Sequence, residues 1–189
     1  LTEAYQRFVP KQLLTNLNKE SILDVQLGDQ VQKEMSILFS DIRSFTMLSE
    51  SMSPEDNFGF VNTYLSKMGP IVRDNHGYID KYIGDSIMAL FDRSPEDAVL
   101  TSVKMLDALR EYNKERIQEG LVPIRIGIGV NTGKMMLGTL GESDRMEGSV
   151  ISDAVNLAAR LEGLTKLYKT SLLLNSLIET FNVLQYNWY

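Results

Sequence analysis

Asp41 follows the apolar run 35–39, and Asp85 sits between the apolar runs 78–83 and 86–91, so strand ends present both carboxylates. A pair of carboxylates at neighbouring strand tips could share hard cations. Mg²⁺ suits such a pair, because it takes one or two carboxylates and fills its octahedron from substrate phosphates. By residue type alone each aspartate also suits a backbone role, Asp41 as a cap and Asp85 as a turn residue. Asn156 and Arg160 stand one turn apart on a helix predicted over about 153–164, which puts an amide and a guanidinium close together.

Several other chemistries are excluded. The one histidine, His76, falls at a helix end beside Gly77, so neither a Ser-His-Asp triad nor a multi-histidine metal site can be built. The absence of cysteine removes disulfides, thiolate metal sites and cysteine nucleophiles, and fits a reducing compartment. Gly129 to Gly133 followed by Lys134 has its glycines one residue too close for a phosphate loop, and Met135 replaces the required hydroxyl. Gly127 and Gly129 lack the third glycine of a dinucleotide fingerprint and mark close backbone packing instead. A formal net charge of -6 and a pI near 4.9 leave no general attraction for nucleic acid, so a polyanionic substrate must be gripped locally.

The elements that must position these groups follow from the hydrophobic pattern. At 189 residues and 43% hydrophobic content, the chain predicts one domain with one core. Residues 1–28 read as a helical lead-in, with Tyr5, Phe8, Val9, Leu13, Leu14 and Leu17 at helical spacing and Pro10 bending it. Ser53-Pro54-Glu55-Asp56 and Ser94-Pro95-Glu96-Asp97 open two helices; Gly77 closes the first, and the second ends before Gly120. Gly84-Asp85 predicts a two-residue hairpin, and Asn131-Thr132-Gly133 predicts a second one joining strands 124–130 and 135–140. Residues 141–148 read as loop, and final strands are predicted at 172–174 and 183–186 with a short helix around Ile178. The order is the split βαβ of an α+β, ferredoxin-like βαββαβ core with additional C-terminal strands, its helices covering one face of a largely antiparallel sheet. No apolar stretch reaches membrane-spanning length; the expectation is a cytoplasmic domain, compatible with membrane anchoring in a longer protein.

Three ordered segments carry a resemblance: Phe39-Ser40-Asp41-Ile42-Arg43-Ser44-Phe45-Thr46, Asp80-Lys81-Tyr82-Ile83-Gly84-Asp85-Ser86-Ile87-Met88-Ala89, and Asp153-Ala154-Val155-Asn156-Leu157-Ala158-Ala159-Arg160. They resemble the signature segments of class III nucleotidyl cyclase domains, in particular bacterial adenylate cyclases, and the likeness runs from about Glu34 to the chain end. The resemblance implies a catalytic domain over 29–189 that converts ATP to 3′,5′-cyclic AMP and pyrophosphate in intracellular signalling. It implies a homodimer whose two sites lie at the subunit interface. From one chain, Asp41, Asp85 and the carbonyl of Ile42 would hold two Mg²⁺, with Mn²⁺ able to substitute, and the backbone from Ile42 to Thr46, Phe45 included, would cradle phosphates. From the other, Lys81 and Ser149 would read the purine, Asn156 would orient the ribose, and Arg160 would face the reacting phosphate.

Lysine at position 81, where guanine recognition usually wants glutamate, favours ATP over GTP. Ser149 departs mildly from the family's aspartate, threonine or cysteine, and a small residue there resembles the bicarbonate-responsive subgroup. The family's Val-Lys-Gly-Lys-like segment is absent; the expectation is that Arg145 and other basic groups replace its phosphate contact, or that the segment lies outside this sequence. An upstream sensor domain acting through the lead-in is a further expectation. The alternatives are guanylate cyclase activity and a non-catalytic nucleotide-binding dimerisation module; a diguanylate cyclase lacks support because its Gly-Gly-(Asp/Glu)-Glu-Phe hairpin is missing.

Overall fold

The computed structural model describes residues 9–175. The expected strand at 183–186, the helix around Ile178, and Tyr5 and Phe8 of the lead-in lie outside the described residues. In chain order the elements are α1 (Lys11–Asn16), a 3-10 turn (Ile22–Asp24), β1 (Gln30–Ile42), α2 (Phe45–Ser49), α3 (Pro54–Asp74), β2 (Gly77–Ile83), β3 (Ser86–Phe91), α4 (Pro95–Gln118), β4 (Ile126–Glu142), β5 (Arg145–Ile151), α5 (Asp153–Leu167) and β6 (Leu172–Leu174).

Local chemistry starts the long helices. Ser53 accepts from the Asp56 N–H at 3.1 Å and Ser94 from the Glu96 N–H at 3.2 Å, each with proline in the first turn and two acids complementing the helix dipole. His76, not Gly77, makes the left-handed turn after α3, with φ at 64°. Gly77 instead opens β2 beneath the Phe91 ring, where a Cβ would collide.

The sheet runs β2-β3-β1-β4-β5, with β6 parallel to β4 and the other pairs antiparallel. Its first four strands have the ferredoxin-like order expected. The predicted turn at Asn131-Thr132-Gly133 does not form. Those residues continue straight through β4, because β1 pairs with it from Gln30↔Gly138 to Ile42↔Ile126 and Ser36 and Thr132 share a 2.6 Å hydroxyl contact. Turn-favouring composition gives way to a thirteen-residue partner strand. The hairpin falls later, at Ser143-Asp144, and the segment read as loop is β5.

Two helices, α3 and α4, cover one face of the sheet, burying Tyr64, Met68, Val72, Met105 and Leu109 against Leu38, Ile126 and Ile128. The helices do not share that face: α5 lies on the other, with Ala158 packed among Met35, Ile37 and Leu137. This placement depends on Gly129, where a Cβ would run into the backbone of Ala158 and Glu162. Because neither backbone is a flexible side-chain end, Gly129→Ala should cost about 3 kcal/mol or more in urea unfolding. A loss below about 1 kcal/mol would show that α5 is not seated this closely.

The lead-in packs on the α5 side. Leu13, Leu14 and Leu17 are buried, Leu13 fills the space a side chain at Gly148 would need, and Asn16 bonds the Tyr78 hydroxyl at 3.2 Å.

Candidate functional site

Antiparallel pairing of β1 with β3 through Ser40↔Ile87 brings the end of β1 beside the β2–β3 hairpin. Gly84, at φ 63°, makes that turn. The Ile42 N–H donates to Asp85 Oδ2 at 3.0 Å, and the Ser86 hydroxyl donates to Asp41 Oδ1. Asp41, Ile42 and Asp85 thus meet. Burial, and then the Asp41 carboxylate, push Asp85 up to about 6, against the pull of the Ile42 N–H. An acid held this far up beside a second acid is an anionic pocket that a cation would relieve. Among the described residues no group of three or more His, Asp or Glu side chains could hold a metal, so a cation here would need oxygens from its substrate as well.

The turn after β1 is anchored from below. Arg43 passes over Gly127, where any side chain would collide with its guanidinium, and reaches Glu162 of α5 at 2.9 Å and its carbonyl at 3.3 Å. Burial raises Glu162, with Arg43 opposing. Ser44 then adopts φ 57° and starts α2. Phe45 stacks on Phe60 with ring centres 6.3 Å apart, while Thr46 is exposed in the first turn, whose N–H groups have no intrahelical acceptor.

Arg125 was not singled out from the sequence. The Arg43 N–H donates to its carbonyl at 2.8 Å, so it stands beside the turn. Arg43, Arg125, Lys166 and Lys169 line a cavity of about 650 Å³ there. The legible signal was a cation just before the alternating run 126–130.

Lys81 lies on β2 and Ser149 on β5, the two ends of the five-strand path, yet the sheet curls until Lys81 Nζ is 3.9 Å from Glu147 of β5. Ser149 is half-buried opposite Gly138. Arg145, at the start of β5, is exposed. Asn156 and Arg160 are exposed on α5 and bond to no other described side chain, so within one chain they do not join the aspartate pair.

Residues 27–182 match the family described as the adenylate and guanylate cyclase catalytic domain. The chain is 41% identical over 177 residues to an adenylate cyclase of Anabaena cylindrica, covering 91% of this chain and 35% of that protein. It is 37% identical to the terminal-differentiation specific adenylate cyclase of Dictyostelium discoideum, covering 92% of this chain and 8% of that one. The chain therefore spans about a third or less of these curated relatives. Among solved structures, a bacterial light-regulated adenylyl cyclase superposes with TM-score 0.83 at 28% identity, covering 94% of this chain and 52% of that one. The guanylyl cyclase Cya2 gives 0.69 at 34%, covering 78% and 77%.

Proposed function

The chain belongs to the adenylate and guanylate cyclase catalytic domain family, and from that premise we propose that it converts ATP to 3′,5′-cyclic AMP and pyrophosphate at sites shared between two copies of itself. The observation that carries the reading is the meeting of Asp41 and Asp85 at adjacent strand ends, with Asp85 raised by burial and then by its neighbour. Both carboxylates and the Ile42 carbonyl would hold divalent cations, Mg²⁺ by the hard-oxygen character of the donors. When bound, the metal ions would acidify the ribose 3′-hydroxyl and neutralise charge on the departing pyrophosphate.

The chain's own groups do the rest. The 3′-oxygen forms its bond to the α-phosphorus as the bond to the β-phosphate oxygen breaks, and the hydroxyl proton leaves to solvent. Asn156 of the partner subunit orients the sugar for in-line attack. The partner's Arg160 offers a planar fork of donors where the five-coordinate phosphorus gathers negative charge, which favours the transition state over bound substrate. Exposure of both residues on α5, with no side-chain partner among the described residues, supports a role across an interface. The first-turn N–H groups at Phe45 and Thr46 cradle phosphates. Arg125, beside that turn, meets the terminal phosphates, with Arg145 as a further candidate.

Lys81 and Ser149 read the purine, and Lys81 favours adenine. An upstream segment could act through α1, since Leu13 sits against Gly148, next to Ser149.

The test is product formation from ATP and from GTP with Mg²⁺ or Mn²⁺. Cyclic AMP should form with a kcat/KM above that for cyclic GTP. A preference for GTP would transfer the assignment to guanylate cyclase, and no cyclic product with either metal would leave a nucleotide-binding module.

A further inference from the structure

The register of β2 against β3 slips between Ile79, paired with Ala89, and Lys81, paired with Met88. Asp80 is therefore the extra residue of a β-bulge. A bulge turns two successive side chains toward one face, a device that re-aims residues at functional sites. Here the neighbouring residues Tyr78 and Met88 mark the face that α5 and α1 cover. The Asp80 side chain is only 8% exposed, and its Oδ2 has no hydrogen-bond partner. Lys81 Nζ lies 3.7 Å from it, an ion contact too long to be a hydrogen bond. Burial raises its pKa, against the pull of Lys81. A buried carboxylate oxygen left without a donor is costly, and such a group needs a reason to persist.

Lys81 Nζ stands between two carboxylates, Asp80 at 3.7 Å and Glu147 at 3.9 Å. A central donor flanked by acceptors is a pattern a purine edge can match or fail to match. Adenine presents an acceptor, N1, beside an amine donor. Guanine presents a donor, N1–H, in the middle of its edge, which would face the ammonium.

We propose that Asp80 is a specificity-determining residue, accepting a hydrogen bond from the exocyclic 6-amine of adenine while Lys81 donates to N1. This rests on the reading that Lys81 contacts the purine, and it adds a charged acceptor that neither Lys81 nor the Ser149 hydroxyl supplies. Glu147, with 61% of its side chain exposed, gives way as the base enters between β2 and β5. The orphaned oxygen of Asp80 then gains the donor it lacks.

The experiment compares ATP with purine riboside triphosphate, which lacks only the 6-amine, in wild type, Asp80→Ala and Asp80→Asn. A site built to bond a polar group rejects the analogue that lacks it, so wild type should prefer ATP by about tenfold or more in kcat/KM. Asp80→Ala should bring that ratio to within about threefold of unity, mostly by losing ATP, whereas a purely structural Asp80 would lower both substrates alike. Asp80→Asn keeps an acceptor oxygen and should retain an intermediate preference, which guards against a misfolded alanine variant. A wild-type ratio near one, or an unchanged ratio in Asp80→Ala, overturns the proposal. Equilibrium binding of the two triphosphates with Ca²⁺ repeats the comparison without turnover. A wild type that makes no cyclic nucleotide but binds ATP more tightly than the analogue, in an Asp80-dependent way, would sink the cyclase assignment and keep the purine contact.

Discussion

An equimolar mixture of Asp41→Ala and Arg160→Ala proteins should make cyclic AMP although neither makes it alone. The aspartate lies at the end of β1 and the arginine on the exposed side of α5, with no bond between them inside one chain. If each site draws its acids from one copy and its guanidinium from the other, a mixed dimer has one intact site and one site lacking both groups. Random exchange makes half the dimers mixed, so recovered activity should approach about a quarter of wild type at equal total protein. The single variants should fall by about 10²-fold to 10³-fold, the usual loss when one group facing transition-state charge is removed. Differently tagged subunits let native mass spectrometry count mixed dimers alongside the assay. Mixed dimers without recovered activity would contradict the shared site.

Asp85→Asn should separate activity from stability in opposite directions. The asparagine oxygen can still accept the Ile42 N–H, so the hairpin keeps its anchor. The negative charge is lost, and metal affinity should fall by about 100-fold, at least the loss seen when groups supporting metal ligands are removed. Without metal the variant should be the more stable protein at pH 7. Wild-type Asp85 is raised from 3.8 to about 6, so its folded state pays for a charge that burial and Asp41 disfavour. The folded protein binds this proton more readily than the unfolded chain, so wild type gains stability as pH falls through about 6 and the gap to the variant closes by about pH 4. With solvent screening allowed for, the gap at pH 7 should be about 1 kcal/mol. Urea unfolding at pH 7 and pH 5 in the presence of a chelator measures it. A constant gap would mean that Asp85 is not the raised group.

Much of this architecture was legible because it is local. The caps at Ser53 and Ser94 and the Gly84-Asp85 turn need only their own neighbours, and the adjacency of Asp41 to Asp85 follows once β1 lies beside the hairpin. Apart from the turn after α3, where His76 and not Gly77 takes the left-handed conformation, the misreadings are matters of partners distant in sequence. Asn131-Thr132-Gly133 has turn chemistry, but β1 holds it in a ladder. Nothing in the periodicity of 153–164 says which sheet face receives α5; Gly129 does, and only through the backbone it meets. Gly129 meets backbone, as close backbone packing requires, whereas Gly127 meets a side chain, Arg43 on its way to Glu162, which no local pattern reveals. The bulge at Asp80 carried no signal, since a bulge is a property of two strands in register.

On the proposed reading, the aspartate pair of one subunit holds cations opposite a guanidinium of its twin. A crystal structure with Mn²⁺ and a non-cyclisable ATP analogue tests it directly through manganese anomalous scattering. Anomalous peaks are expected between Asp41 and Asp85, with the partner's Arg160 turned toward the α-phosphate. Peaks elsewhere, or a site whose arginine comes from the same chain as its aspartates, would contradict it.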